Sequence, residues 1–345
     1  AVEFVKTAAG QDQPFFMYVA YTAPHWPLHA LPEDIEKFRG TYMQGWDALR
    51  RQRYQRMLEM GIIDPDWPLS PRFEHEHPEN AWRNEEGMPL TPDWDDLSDA
   101  EKEKWDLRMA VYAAMIYRMD AGVGRIMAQL KQTGQFDNTL IFFLSDNGAC
   151  HEPIYVWDLL HDTSGETGTP DSFDAYGYPW ANASNTPFRL FKHWTLEGGI
   201  ASPFIAHWPE AIKGGQLDTQ GIGHIIDIMA TCVEVSGGRY PAEYEGHRIQ
   251  PMEGQSLAPQ WSGKPDTGRA LFWEHEGNWA VRKGDWKLVS SYRVSGEIEN
   301  VPRLYNLKTD RVEMTDRSAE NPQLVQELLH LYQTWKQRVG VHEFR

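Results

Sequence analysis

Asn138-Thr139-Leu140-Ile141-Phe142-Phe143-Leu144-Ser145-Asp146-Asn147-Gly148 is the stretch that decides the fold. Its apolar run lacks the alternation of a half-buried strand and predicts a strand covered on both faces, stopped by Ser-Asp-Asn-Gly. Upstream, Ser98 and Glu101 match a capping box opening a long helix. Leu107, Val111, Ala114 or Met115, Met119, Val123, Ile126 and Leu130 recur at three- and four-residue spacing as its buried stripe, and Gly134 ends it. A helix feeding such a strand is half of a β-α-β unit. The fold class expected is therefore α/β, with a mainly parallel sheet covered by helices.

A second continuous run, Pro14-Phe15-Phe16-Met17-Tyr18-Val19-Ala20-Tyr21, reads as another doubly buried strand, followed by a loop stiffened by Pro24 and Pro27. Residues 30–105 give short helices over 35–42 and 46–60, then a stretch rich in Pro, Trp, Asp and Glu that reads as a surface excursion packed by its tryptophans. Residues 149–190 show no period and read as a functional loop. A strand over 203–208 and a helix over 223–235 follow. The last third changes character: short strands at 270–275, 278–282 and 286–291, with Lys283-Gly284-Asp285 as a hairpin turn. Asn321-Pro322 then starts a terminal helix whose apolar face is Leu324, Leu328, Leu331 and Trp335. The expected division is a core over 1–269 and a small antiparallel subdomain with terminal helix over 270–345.

With 345 residues, 41 % hydrophobic and 24 % charged, the chain has the composition of a folded protein rather than a disordered or collagen-like one. A net charge of −17 repels phosphate backbones and anionic lipid, so neither nucleic acid nor a membrane surface is an expected partner. No apolar stretch approaches the length of a membrane-spanning helix. Cys150 and Cys232 cannot make a multi-bridge framework.

Chemistry is carried by a few residues. Asp146 and Asn147 follow a buried strand, where ligands bind in α/β folds. A carboxylate and a carboxamide oxygen suit Ca²⁺ or Mg²⁺, although Asp-Asn-Gly is also an ordinary turn. His25, locked between prolines, can serve an anion or protonate a leaving oxygen, or simply satisfy a loop carbonyl, and His29 is a weaker candidate. Lys192 precedes Glu197-Gly198-Gly199, where glycines permit close backbone approach; it suits sulfate or phosphate, or is a solvated lysine. His75-Glu76-His77 has too few companions for zinc. Ala121-Gly122-Val123-Gly124 lacks phosphate-loop spacing and reads as helix packing. His224 and Asp227 read as a structural pair or a cap, and Asn182-Ala183-Ser184 forms a glycosylation sequon.

Taken in order, the segments at 14–27 (PFFMYVAYTAPHWP), 138–148 (NTLIFFLSDNG), 191–203 (FKHWTLEGGIASP) and 304–322 (LYNLKTDRVEMTDRSAENP) resemble the formylglycine-dependent sulfatases of the alkaline phosphatase-like superfamily, in particular the large bacterial arylsulfatases. The likeness runs over essentially the whole chain. It implies that Asp146 and Asn147 are similar to two ligands of a metal, usually calcium. It also implies that His25 resembles the substrate-facing histidine and Lys192 the sulfate-binding lysine. The implied substrate is a small organic sulfate ester, and the implied setting is periplasmic or secreted.

The family pattern also has an earlier half: two adjacent aspartates, a Cys-x-Pro/Ala-x-Arg segment whose cysteine or serine becomes formylglycine, and a further Lys and His. Neither Cys150 nor Cys232 lies in such a segment. The resemblance therefore implies a core over 1–269 lacking its N-terminal part, with the nucleophile supplied by that part or by a complementary chain, and little turnover by residues 1–345 alone. A phosphate or phosphonate monoester hydrolase of the same fold, and a non-catalytic sulfatase-like binding domain, are the alternatives.

Overall fold

In the computed structural model, residues 1–72, 91–154, 165–219, 221–264, 268–291 and 301–342 are described. The helices are α1 (Val2–Ala8), α2 (Pro32–Ile35), α3 (Trp46–Glu59), α4 (Asp99–Gln132), α5 (Gly177–Ser184), α6 (Glu197–Ile200), α7 (Asp227–Val235), α8 (Ala258–Trp261) and α9 (Pro322–Val339). The strands are β1 (Ile141–Leu144), β2 (Phe204–His207), β3 (Glu243–Tyr244), β4 (His247–Arg248), β5 (Ala270–His275), β6 (Asn278–Lys283), β7 (Trp286–Ser290) and β8 (Arg303–Asn306). No described helix is long and apolar enough to cross a membrane.

Helix α4 carries the capping box read from its sequence: Ser98 Oγ accepts from the Glu101 backbone N–H, and Glu101 Oε2 accepts from the Ser98 N–H at 2.8 Å. Its stripe is buried at Leu107, Val111, Ala114 and Met115 and again at Leu130, while Met119, Val123 and Ile126 are only half-covered. Gly122 does serve packing: a Cβ there would come 2.6 Å from the Tyr21 hydroxyl.

The α/β class stands, but the described pairing corrects the expectation of a mainly parallel sheet. Strands β1 and β2 pair antiparallel, Leu144 opposite Phe204. The loop leaving β1 and the α6 segment entering β2 lie at the same end of the pair, joined by the Gly148 N–H to Gly199 C=O bond at 2.9 Å. Residues 14–21 form no strand, and Phe16 and Tyr18 are exposed. A doubly covered strand needs neighbours on both edges and both faces, and the described residues supply neither.

The described residues between 30 and 105 are not a surface excursion. Trp46 is fully buried at the centre of the main core, edge-on to Trp94 at 4.8 Å and to Trp105 and Trp180 at 5.5 Å between ring centroids. Aromatic edges meeting faces fill this volume without polar atoms, apart from indole N–H groups such as that of Trp180, which donates to Trp105 C=O at 3.0 Å. The 149–190 region contains α5, in which Asn182 is buried; the sequon is folded into the core rather than presented. Residues 75–77 lie outside the described residues.

The C-terminal sheet runs β5-β6-β7-β8, all antiparallel, with β8 drawn from the tail that the strand reading had not reached. One face takes α9: Leu328 is fully buried, Trp335 stacks on Phe272 and Tyr332 stacks on Trp279. Asn321 occupies the N-cap of α9, yet its side chain makes no cap; Nδ2 donates back to Arg317 C=O at 3.0 Å. Ala280, Val289, Tyr305 and Leu307 join the main core, so the sheet's other face is continuous with it.

Candidate active site

The loop after β1 is set by backbone contacts that only glycine allows. A Cβ on Gly148 would stand 1.8 Å from the Gly198 carbonyl oxygen, and one on Gly199 would stand 1.9 Å from that of Trp194. The glycines of Glu197-Gly198-Gly199 therefore pack against the chain's own carbonyls, rather than holding space open for a ligand. Asn185, just past α5, ties the pieces together. Its Oδ1 accepts from the Ala149 N–H at 2.9 Å, and its Nδ2 donates to the Leu190 and Gly198 carbonyls at 2.7 Å each. The Lys192 N–H then donates to Ala149 C=O at 3.0 Å. By these bonds the Asp146–Asn147 loop and the Lys192 segment run side by side.

Lys192 and His25 come together. Lys192 Nζ lies 2.9 Å from His25 Nε2, and His25 Nδ1 lies 2.8 Å from Trp26 C=O. A carbonyl only accepts, so Nδ1 carries the hydrogen and Nε2 of the neutral ring accepts from the ammonium. Glu152 Oε2 completes the cluster, accepting from the Trp26 indole at 2.6 Å and the Cys150 thiol at 3.0 Å, 3.9 Å from Lys192 Nζ. Burial and the neighbouring carboxylate push the Cys150 thiol up to about 12, so it stays protonated and is no nucleophile at neutral pH.

Asp146 and Asn147 stand on the same loop, without a hydrogen bond to the His25–Lys192 pair. Asp146 is exposed; its Oδ1 accepts from the Asn147 N–H at 3.1 Å, while Asn147 Nδ2 donates to Gly148 C=O at 2.9 Å. This arrangement leaves the other carboxylate oxygen and the Asn147 amide oxygen as hard donors. The pair fits a hard divalent cation by donor chemistry, with the remaining oxygens of a six- to eight-fold shell still to be supplied.

The Lys192 segment is clamped from the C-terminal sheet. His193, at a φ of 94°, places Nδ1 3.0 Å from Glu276 Oε2 and Nε2 3.2 Å from Asn278 Nδ2, at the turn between β5 and β6. Lys287 Nζ lies 2.9 Å from both Glu197 Oε1 and Glu313 Oε1, and Arg311 also pairs with Glu197. Burial would raise the Glu197 carboxyl, but Arg311 and Lys287 bring it down to about 2. Burial and the Glu197 charge leave Glu313 above its ordinary value. Beneath Lys192, His151 is enclosed by Tyr178, Phe191 and Trp194, and burial lowers its ring to about 3.

Glu152, Asn185, His151 and the Lys287 cluster carry no motif that sequence reading could have used. His29 satisfies a loop carbonyl, 2.7 Å from Ser172 C=O, and Asp227 caps the turn at His224, accepting from its N–H at 2.8 Å.

Solved structures share this fold. Ps i-CgsB in complex with k-i-k-neocarrahexaose superposes with a TM-score of 0.60 at 23 % identity, over 97 % of this chain and 52 % of that one. The phosphonate monoester hydrolase of Agrobacterium radiobacter gives 0.51 at 19 % identity, over 95 % and 55 %. In sequence, the chain is 33 % identical to an uncharacterized sulfatase of Schizosaccharomyces pombe over 96 % of its own length and 59 % of the relative's. It is 34 % identical to the arylsulfatase of Klebsiella aerogenes over 73 % and 52 %. The chain thus spans about half the length of these relatives. The sulfatase family profile matches residues 1–238, and on that match the chain belongs to the sulfatase family.

Proposed function

We propose that this sulfatase-family hydrolase acts on an organic sulfate monoester of the arylsulfatase type, ROSO₃⁻ + H₂O giving ROH and HSO₄⁻. The contact between Lys192 and His25 carries the reading: an ammonium and an imidazole from segments 167 residues apart meet at 2.9 Å beside the Asp146–Asn147 loop. Lys192 grips the ester's non-bridging oxygens and offsets charge that develops there. His25, its ring fixed through Nδ1 on Trp26, presents Nε2 as the atom through which a proton reaches the departing alcohol oxygen. A calcium ion on Asp146 and Asn147, completed by ligands from elsewhere, would supply Lewis-acid polarisation of a sulfate oxygen. The nucleophile we place outside these residues, as a formylglycine, because the 345 residues hold no Cys-x-Pro/Ala-x-Arg segment.

The test is release of inorganic sulfate from an aryl sulfate by the natural protein, beside matched phosphate and phosphonate monoesters. Lys192→Ala and His25→Ala should each lower kcat/KM for sulfate release by about 10²–10³-fold. Residues 1–345 alone should show little turnover. Sulfate release unchanged in both variants would overturn the assignment. A preference for phosphonate esters would move it to the second reading, supported by the fold shared with the phosphonate monoester hydrolase.

A further inference from the structure

Glu152 has no place in the reaction as proposed, yet it stands in the middle of the site. Its Oε2 gathers the indole of Trp26, which follows His25, the thiol of Cys150, which follows the Asp146–Asn147 loop, and the ammonium of Lys192. Its side chain is 28 % exposed and that of Lys192 is 29 % exposed, so neither is sealed from solvent. Burial acts to raise the carboxyl, but the Cys150 and Trp26 hydrogen bonds and the Lys192 charge hold it below its ordinary value, and Glu152 is ionised at neutral pH.

Lys192 contributes one positive charge, Glu152 removes it, and the neutral tautomer of His25 adds none. Beside any charge that the proposed calcium adds at Asp146 and Asn147, the Glu152 carboxylate repels the second negative charge of a dianion and meets only one on a monoanionic ester. Sulfate monoesters and phosphonate monoesters are monoanions. Phosphate monoesters are mostly dianions above about pH 7. Size does not separate these groups, but charge does.

We propose that Glu152 is a charge filter that reserves the site for monoanionic esters and rejects dianionic phosphate monoesters. The inference rests on the reading above, in which Lys192 and His25 face the ester anion. A carboxylate that merely props Lys192 in position would affect every ester alike, and this difference makes the role measurable.

The experiment compares kcat/KM of the natural protein and its Glu152→Gln and Glu152→Asp variants at pH 8. The substrates are 4-nitrophenyl sulfate, 4-nitrophenyl phosphate and a 4-nitrophenyl phosphonate monoester. Removing one charge several ångströms from the anion should raise the phosphate-to-sulfate ratio about tenfold or more in Glu152→Gln. The phosphonate-to-sulfate ratio should stay put, and Glu152→Asp should keep the phosphate ratio near that of the parent. An unchanged phosphate ratio, or equal losses on all three esters, would overturn the filter. If the parent protein hydrolyses none of them, the proposed function fails, and the filter is read by calorimetry with phenyl sulfate and phenyl phosphate. There, Glu152→Gln must favour phosphate binding or the inference falls as well.

Discussion

The Lys287 ammonium lies 2.9 Å from the Glu197 carboxylate, with the lysine side chain sealed from water and the glutamate 3 % exposed. Glu197 opens the short helix that follows Lys192, and Lys287 is on a central strand of the C-terminal sheet. The contact therefore couples that sheet to the segment bearing Lys192. Lys287→Ala leaves two buried carboxylates with one cation fewer and should cost about 3–5 kcal/mol in urea denaturation. A loss below about 1 kcal/mol would mean that the cluster does not depend on the ammonium.

Asn185 bonds both the loop after β1 and the backbone around Gly198. Asn185→Ala strands one N–H and two carbonyls and should destabilise the protein by about 2–4 kcal/mol. Asn185→Asp can keep the Ala149 N–H but cannot donate to Leu190 and Gly198, so it should recover little of that. Recovery of full stability by the aspartate would show that the two donated bonds are dispensable.

What the sequence could disclose follows from how far each signal reaches. The capping box of α4, the strand at 141–144 and the apolar face of α9 are local patterns, and all three are present. His25, Asp146, Asn147 and Lys192 were legible because each lies beside a recognisable turn, proline or glycine signal. The meeting of His25 with Lys192 is a long-range fact that composition and period do not encode. Glu152 and Asn185 sit in aperiodic loop sequence and gain their roles only from partners brought close by folding. The exposed aromatics at Phe16 and Tyr18 show the converse: a run that reads as doubly buried specifies what it needs, not whether the described residues provide it.

Cys150 should be inert although it stands among ionisable groups. With its thiol pushed up to about 12, the thiolate fraction at pH 8 is negligible. Iodoacetamide at pH 8 should leave it unmodified in the folded protein, while denatured protein should label at the rate of an ordinary cysteine. Peptide mass mapping distinguishes it from Cys232. Fast labelling of Cys150 in the folded state would contradict the hydrogen bond to Glu152 and the ionised state inferred for that carboxylate.

His151 should make stability fall with pH well above the range in which carboxylates titrate. Its folded value, about 3, is below the 6.5 of a free imidazole because burial among aromatic rings disfavours the charged form. As pH drops through 6.5 the unfolded chain takes up a proton that the folded chain refuses. The stabilisation is therefore complete above 6.5 and is lost progressively toward the folded value near 3. Between about pH 6.5 and 5 this should remove about 1–2 kcal/mol in chemical denaturation. His151→Phe, which keeps the ring among Tyr178, Phe191 and Trp194, has no proton to exclude and should remove that part of the slope. Below pH 4.5 both proteins should weaken together as Glu197 begins to titrate toward its folded value of about 2. An identical slope in the two proteins between pH 6.5 and 5 would mean that His151 is not held neutral. The aromatic enclosure under Lys192 would then have to admit water.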